Sequence, residues 1–342
     1  MKRYLYIDKE KTKTIWQEVC SMENLIKAHK NAQKGKGWYK EVKIINSNPE
    51  PYLKELQERL INKTYKTSEY TTFIKKDGKK ERLIYKLPYY PDRICQWAVV
   101  QVIEPFIINN FTSDTYSAIP KRGIHQCLQK LNKVLYLYPE ETKYCLKLDI
   151  KQYYPSINHN ILKEKYKRLF KDKDLLWLLD EIINSTKEEK GIPIGNYLSQ
   201  YSGNFYLSDF DHWIKEKERI KYYYRYMDDI VILGKTKEEL QNIRKEIDKY
   251  LLKLELSLKE NWQIFPTRVR GVDFVGYRSF GKYILLRKDT KRNFKNKMNK
   301  IKLKEDNLSY SDICCIESYN GWLKYCDSFR LKSKYIINYK KK

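Results

Sequence analysis

Residues 224 to 234 read YRYMDDIVILG. Aromatic and β-branched residues flank the centre of this stretch, Tyr222 to Tyr224 before it and Ile230 to Leu233 after it, which is the composition of strands. Between them stand two adjacent acids, Asp228 and Asp229. An ionised carboxylate near a core is costly unless it is paired or coordinates a metal. One reading makes Met227-Asp228 the solvated tip of a hairpin, since Asp favours turns. The other has the acids face a cation. The tetrad alone does not choose, because a chain with 31 tyrosines also produces Y-x-D-D by chance.

Composition narrows the choice. At 342 residues the chain has room for one large multi-lobed core or two ordinary domains. Lys and Arg number 69 against 43 Asp and Glu, a formal charge of +26. Codon bias toward Lys, Ile, Asn and Tyr would raise Glu as well, so an excess this large favours a polyanionic partner held by counterion release. An anionic membrane is the competitor, but no lipidation signal or long basic amphipathic helix supports it. The N-terminal MKRYLYIDKEKTKTIW lacks the apolar run of a signal peptide. WAVVQVIEPFII is broken by Gln101, Glu104 and Pro105 and is too short to span a bilayer. A cytoplasmic protein is expected, in a bacterial or phage-infected cell. The seven cysteines show no C-x-x-C spacing and suit reduced, buried thiols. With four scattered histidines, any metal must be held by carboxylates, which points to a hard ion such as magnesium.

Along the chain, residues 1 to about 60 read as helical, with a basic break at KNAQKGKGWYK. FIKKDGKKERLIYKL reads as two strands joined at Asp77-Gly78. RICQWAVVQVIEPFI is a helix with a broad apolar face, and YCLKLDI is a strand with Asp149 near its end. Helices are expected around 159–170, 174–186 and 197–217, with GIPIGN a loop. A charged helix follows the acid hairpin, then short strands near 263–265, 272–277 and 282–286. The basic, helical C-terminal part reads as a separate lobe, and the final YKKK as frayed. The pattern is α+β, helices packed on a small antiparallel sheet. No internal repeat or Gly/Ser linker appears.

Asp149 supplies a third acid. If its strand neighbours the hairpin strands, Asp149 and Asp228 meet at one edge, and the carboxylates repel and raise one another's pKa unless a cation neutralises them. Two divalent ions roughly 4 Å apart would do so, and would align an attacking 3′ oxygen with a leaving pyrophosphate. Taken alone, Asp149 reads as a helix N-cap. Beside the paired acids and the basic charge, it reads as part of a polymerase site.

At this point the sequence resembles the reverse transcriptase family, with motifs in the family's order: FIKKDGKKERLIY, PDRICQWAVVQVIEPF, YSAIPKRGIHQCL, LKLDIKQYYPSI, GIPIGNYLSQYSGNFYLSDFD, YRYMDDIVI, FVGYR and SYNGWLKYCDSFRL. The likeness runs over about residues 60 to 330. It implies a right-hand polymerase: an N-terminal helical extension over 1–60 and fingers over 61–145, then a palm over 146–280 with helices inserted at about 158–218, and a thumb with basic tail over 281–342. The implied activity is RNA-directed DNA polymerisation (EC 2.7.7.49).

The resemblance also assigns roles. Asp149, Asp228 and Asp229 are the catalytic acids and hold two magnesium ions, or manganese in their place, with the main-chain carbonyl of Ile150. Asp149 and Asp228 are the main ligands. Lys75 and Arg82 hold the nucleotide triphosphate, Arg through its planar fork; without the family, they read as an ordinary solvated basic hairpin. Tyr154 is the aromatic gate that leaves no space for a 2′-hydroxyl, or else plain core packing. Ile194 and Gly195 also face the nucleotide. Arg122, Phe274, Gly276 and Tyr277 contact template or primer, and the C-terminal helices track the RNA–DNA hybrid. Where the family often has Lys-Thr after the hairpin, this chain has Trp262-Gln263, and nearby Lys259 stands as the candidate general acid.

IGNYLSQ, residues 194 to 200, departs from the common Q-G-x-x-x-S-P, with Ile194 for Gln and Gln200 for Pro. It resembles reverse transcriptases of diversity-generating retroelements, which copy a template-repeat RNA and misincorporate opposite adenine; drift in an ordinary bacterial enzyme is the plain alternative. A polar group that aligns the nucleotide discriminates by being left unpaired when the fit is wrong, and Ile offers only van der Waals contact. The partners implied are dNTPs, the template-repeat RNA with its spacer, and the accessory variability determinant, a basic ring-forming helical bundle. Rivals are a group II-like or abortive-infection (antiphage) reverse transcriptase and, from another class, a non-catalytic RNA-binding protein. About 65 residues follow FVGYR, too few for a maturase domain with an endonuclease or for a ribonuclease H domain. The retron signatures N-A-x-x-H and V-T-G are absent from the sequence. Three intact acids argue against the non-catalytic reading, because uncoordinated acids weaken RNA binding.

Overall fold

The computed structural model describes residues 13–77, 80–304 and 307–336. The expected hairpin tip, the first twelve residues and the terminal YKKK lie outside the described residues. The fold is α+β, with three small antiparallel sheets among the described residues. The chain forms two compact units. One takes the residues up to Thr112, Lys151–Phe210 and Leu251–Leu256. The other takes Ser113–Ile150, Asp211–Tyr250 and the residues from Ser257 onward.

In the first unit, β1 (Thr71–Asp77) and β2 (Lys80–Lys86) pair as a two-stranded hairpin. The helix Ile94–Ile108 lies against the helices Met22–Ala32 and Tyr197–Tyr206. Ile94, Val99, Val100, Ile103 and Ile107 around its circumference are all buried. That explains why its sequence is apolar all round rather than striped. Buried Gln96 on this helix accepts the backbone N–H groups of Tyr197 (2.8 Å) and Leu198 (3.4 Å), satisfying the exposed start of the helix Tyr197–Tyr206.

The second unit is built on a four-stranded sheet in the order β4-β5-β3-β6: β3 Tyr144–Asp149, β4 Tyr223–Tyr226, β5 Asp229–Gly234 and β6 Gln263–Pro266. β5 is central, and Ile230 through Leu233 are all buried, so its apolar run is continuous rather than alternating. A second sheet, β7 (Val272–Phe274), β8 (Tyr277–Ser279) and β9 (Ile284–Leu286), is a meander. One core joins both sheets to the helices Ile124–Leu137, Lys288–Lys302 and Tyr310–Leu323, through Leu131, Val231, Phe274, Phe294 and Ile316 among others.

Two expectations are corrected. The strand expected over 272–277 is instead the β7–β8 hairpin. Val275 (φ 44°) and Gly276 (φ 87°) turn the chain, so Phe274 pairs with Tyr277. Two successive positive φ values make the tight turn whose twist suits a hairpin. The cysteines are all free thiols, but only Cys20, Cys95, Cys127 and Cys145 are buried; Cys314 is exposed and Cys315 and Cys326 are partly so.

The loop Gly191–Asn196 of the first unit is fastened to β2. Ile194 O accepts the Tyr85 amide at 2.9 Å, and buried Asn196 donates to the Tyr70 hydroxyl at 2.7 Å. Gly195 adopts φ +134°, and a Cβ there would lie 2.1 Å from the Tyr85 carbonyl oxygen. Only glycine permits that backbone approach. Gly195→Ala is expected to lower the stability of the protein by about 2 kcal/mol or more, through strain and loss of this junction. A shift of the urea unfolding midpoint measures it, and an unchanged midpoint would contradict the junction.

Candidate active site

Asp149 and Asp229 stand at one end of β3 and β5, with Asp228 in the adjoining turn. The register sets Asp149 directly opposite Asp229, and the Ile150 amide donates to the Asp228 carbonyl at 3.3 Å. Residues directly opposite in an antiparallel pair share a face, and like charges placed so are destabilising. Asp228 sits in the two-residue turn between β4 and β5. Burial first, and then the neighbouring charge of Asp149, raises its carboxyl above the ordinary range. Asp149 is the last strand residue and not an N-cap, since the short helix Tyr153–Ser156 is preceded by Gln152.

A lysine already answers part of this charge. The Lys259 amide donates to the Asp149 carbonyl oxygen at 2.8 Å, and its ammonium forms an ion pair with the Asp149 carboxylate. Three carboxylates were expected round one point. Among the described residues, however, no set of three His, Cys, Asp or Glu side chains is so arranged. With Lys259 drawn to Asp149, the charge is relieved locally. Two close carboxylates, Asp149 and Asp228, and a donor set of oxygen alone still fit a hard divalent cation better than zinc or copper.

The turn that carries Asp228 is held from beneath. Met227 takes a left-handed conformation, φ 58°, which a side chain of its size rarely adopts. Arg225, fully buried on β4, donates to the Met227 carbonyl at 3.0 Å. Its guanidinium pairs in bidentate fashion with buried Asp211, Nε to Oδ1 at 2.7 Å and Nη2 to Oδ2. Asp211 also accepts the hydroxyls of Tyr223 (2.5 Å) and Thr115 (2.9 Å). A buried ion pair is tolerable when its remaining lone pairs are satisfied in this way.

In the first unit the hairpin register sets Lys75 directly opposite Arg82, both exposed. This is a like-charge pair of the opposite sign, and an anion would relieve it. Tyr154 is half-buried on the short helix Tyr153–Ser156, with the Tyr153 ring edge-on at 5.8 Å. The Tyr153 hydroxyl is anchored to the Gly203 carbonyl, and the Tyr154 carbonyl accepts the Ile192 amide at 3.0 Å. Tyr154, Ile194 and Gly195 are therefore joined through one loop to the hairpin that bears Lys75 and Arg82. Ile194 is half-buried, and Gln200 is exposed on the helix Tyr197–Tyr206.

The remaining expected residues lie in the second unit. Arg122 is half-buried at the turn before the helix Ile124–Leu137. The side chains of Phe274 and Tyr277 are fully buried, contrary to a direct grip on a strand. Tyr277 stacks on Trp322 at 5.2 Å, and its hydroxyl donates to the Trp322 carbonyl at 2.9 Å. These rings position the Val275–Gly276 turn, whose half-exposed Gly276 is the part left to meet a ligand. A Cβ on Gly276 would lie 2.5 Å from the Trp322 ring.

The sequence profile described as "Reverse transcriptase (RNA-dependent DNA polymerase)" matches residues 74–279. The chain belongs to the reverse transcriptase family. Protein YkfC of Escherichia coli (strain K12) is 23% identical over 237 residues, 56% of this chain and 61% of that protein, so this reverse transcriptase spans about three fifths of its curated relative. Among solved structures, a truncated apo telomerase from Candida tropicalis aligns with TM-score 0.51 at 14% identity, over 68% of this chain and 59% of that one. Telomerase from the same yeast, in complex with a fragment of telomeric RNA, aligns with TM-score 0.50 at 15% identity, over 82% and 58%. These likenesses show a reverse-transcriptase-like fold. Among the described residues no helix is long and apolar enough to cross a membrane.

Sequence reasoning missed Asp211 and Arg225. The signal was present, because an arginine inside the strand YYRY needs a buried partner as much as the acids do. Asp211→Asn or Arg225→Met alone is expected to cost about 3–5 kcal/mol, because each leaves an unpaired buried charge. Arg225→Lys keeps the charge but loses the fork, so it should fall between these and the natural protein in a denaturant titration. Asp228→Asn should instead stabilise the metal-free protein. A carboxyl raised by folding supports stability at low pH and loses that support as pH rises through its folded pKa. The natural protein should therefore fall in Tm above the ordinary carboxylate range while the Asn variant does not, the two diverging by on the order of a degree or two.

Proposed function

We propose that this reverse transcriptase is an RNA-directed DNA polymerase that makes cDNA from a template-repeat RNA, with errors concentrated at template adenines, for mutagenic retrohoming of a diversity-generating retroelement. The observation that carries the polymerase reading is the opposed pair Asp149 and Asp229 with half-buried Asp228 beside them, an arrangement of like charge that a cation relieves. Asp149 and Asp228, with the carbonyl of Ile150, would hold magnesium or manganese, which when bound supplies charge neutralisation for an attacking 3′ oxygen and a leaving pyrophosphate.

The chain's own residues do the rest. Lys75 and Arg82 bind the triphosphate, and the register that opposes them supports this. Tyr154 excludes a 2′-hydroxyl. Lys259 is the proton donor to the leaving pyrophosphate, released from Asp149 when that carboxylate is neutralised. Arg122 and the Gly276 turn guide template and primer, with the basic C-terminal helices along the hybrid. In family terms the hairpin belongs to the fingers, the four-stranded sheet to the palm and the C-terminal helices to the thumb. The retroelement reading rests on Ile194 and Gln200. Ile194 is tied by its backbone to Tyr85, so replacing its aliphatic side chain changes what the nucleotide meets without changing the loop's anchor. The accessory variability determinant and the spacer are the further partners of this reading.

Purified protein given RNA, primer, magnesium and dNTPs is expected to extend the primer, and Asp228→Asn to reduce extension by a factor on the order of 10³. Absence of extension by the natural protein overturns the polymerase reading, and extension that survives the substitution overturns the role of Asp228. Ile194→Gln is expected to lower misincorporation opposite template adenine about tenfold while leaving synthesis intact. An unchanged error rate counts against the retroelement reading alone.

A further inference from the structure

The basic break in the N-terminal helices carries a feature that polymerisation does not use. Between the helices Met22–Ala32 and Lys40–Ser47, the chain runs QKGKGWY, and Trp38 is 72% exposed. An indole left in water forgoes the burial that normally places tryptophan inside. The loop is nevertheless ordered. The Lys36 amide donates to the Gln33 carbonyl at 2.8 Å and the Tyr39 amide to the Lys36 carbonyl at 2.9 Å. Tyr39 packs edge-on against the indole with ring centroids 4.2 Å apart, and the Lys36 ammonium lies 5.0 Å from the Tyr39 ring centre. Trp38 is thus held outward by its neighbours.

The charge around it has one sign. From Lys27 to Lys43 the chain has lysines at 27, 30, 34, 36, 40 and 43 and a single acid, Glu41. That acid is turned to the Tyr89 amide, which it accepts at 2.8 Å. Gly37, next to the indole, has nothing within 4 Å of where a Cβ would sit and no positive φ. The fold therefore does not need a glycine there, whereas a ligand backbone approaching the ring would. An exposed, oriented aromatic face among lysines is the combination that holds single-stranded nucleic acid, with bases stacking on the ring and phosphates meeting the ammonium groups.

We propose that Trp38 and the surrounding lysines form a stacking platform for single-stranded RNA. The contact is made by the first unit alone and uses none of the residues assigned to catalysis, so it goes beyond the polymerase reading. The same chemistry would also suit an anionic membrane, which the test includes as an outcome.

The full chain is titrated, without divalent metal, into a fluorescein-labelled oligouridylate of about twenty nucleotides, with anisotropy as the readout. Trp38→Ala is expected to weaken binding about 5- to 100-fold, and Trp38→Phe to recover most of the loss. Ultraviolet crosslinking to the same RNA should map to the peptide containing Trp38. Binding of a blunt RNA duplex should change by less than about twofold, because paired bases present no free face. Unchanged oligouridylate affinity in the alanine variant overturns the platform. So does an equal loss on the duplex, or a loss confined to phosphatidylserine vesicles. Omitting metal makes the result independent of whether the chain polymerises.

Discussion

The second unit is organised round a repulsion. Antiparallel pairing of β3 and β5 sets two acids at opposed positions and holds a third, half-buried, in the adjoining turn, so the ladder's hydrogen bonds hold together what electrostatics would separate. Apolar packing supplies the restraint. Ile230 to Leu233 on one strand and Leu146 and Leu148 on the other anchor both in the core, and the acids follow at the strand ends. Lys259 offsets some of the cost at Asp149. This is strain maintained where chemistry is expected, supported by the stability of surrounding structure.

Arg225 and Asp211 show how such a turn is kept in shape. The left-handed Met227 is unfavourable in isolation, and a guanidinium fixed by a fully satisfied carboxylate pins its carbonyl. Buried ion pairs of this kind contribute little net stability but specify one geometry, because every alternative leaves a charge unpaired. The first unit uses a parallel device. Gly195 lets one loop approach β2 closely enough for a backbone hydrogen bond, tying the half-buried Ile194 and, through Ile192, Tyr154 to the strand that carries Arg82. Its hairpin sets two cations opposite each other, as the other unit sets two anions.

Much of this was legible in the residues. The acid pair inside an apolar run and the helix with a broad apolar face at 94–108 each reflect a local rule acting over a few positions. The elements at 144–149, 159–169 and 229–234 fall where periodicity and composition put them. The failures also have physical causes. FVGYR reads as strand because Phe, Val and Tyr favour it, yet Val275 accepts a positive φ so that Gly276 can sit against Trp322. Phe274 and Tyr277 were expected to touch a ligand and are core residues instead. Composition records that a ring is large and apolar, but not which side of the turn it occupies.

The sequence by itself determined the strand and helix types, the polyanion-seeking charge and the identity of the acids, since these follow from residue chemistry and short-range spacing. Only the tertiary structure decided the register that opposes Asp149 to Asp229 and Lys75 to Arg82. It alone paired Arg225 with Asp211 across 14 residues, joined Glu41 to the Tyr89 amide and left Trp38 outside. Register and partner choice are settled by competition among all segments for one core, and that competition is a property of the whole chain.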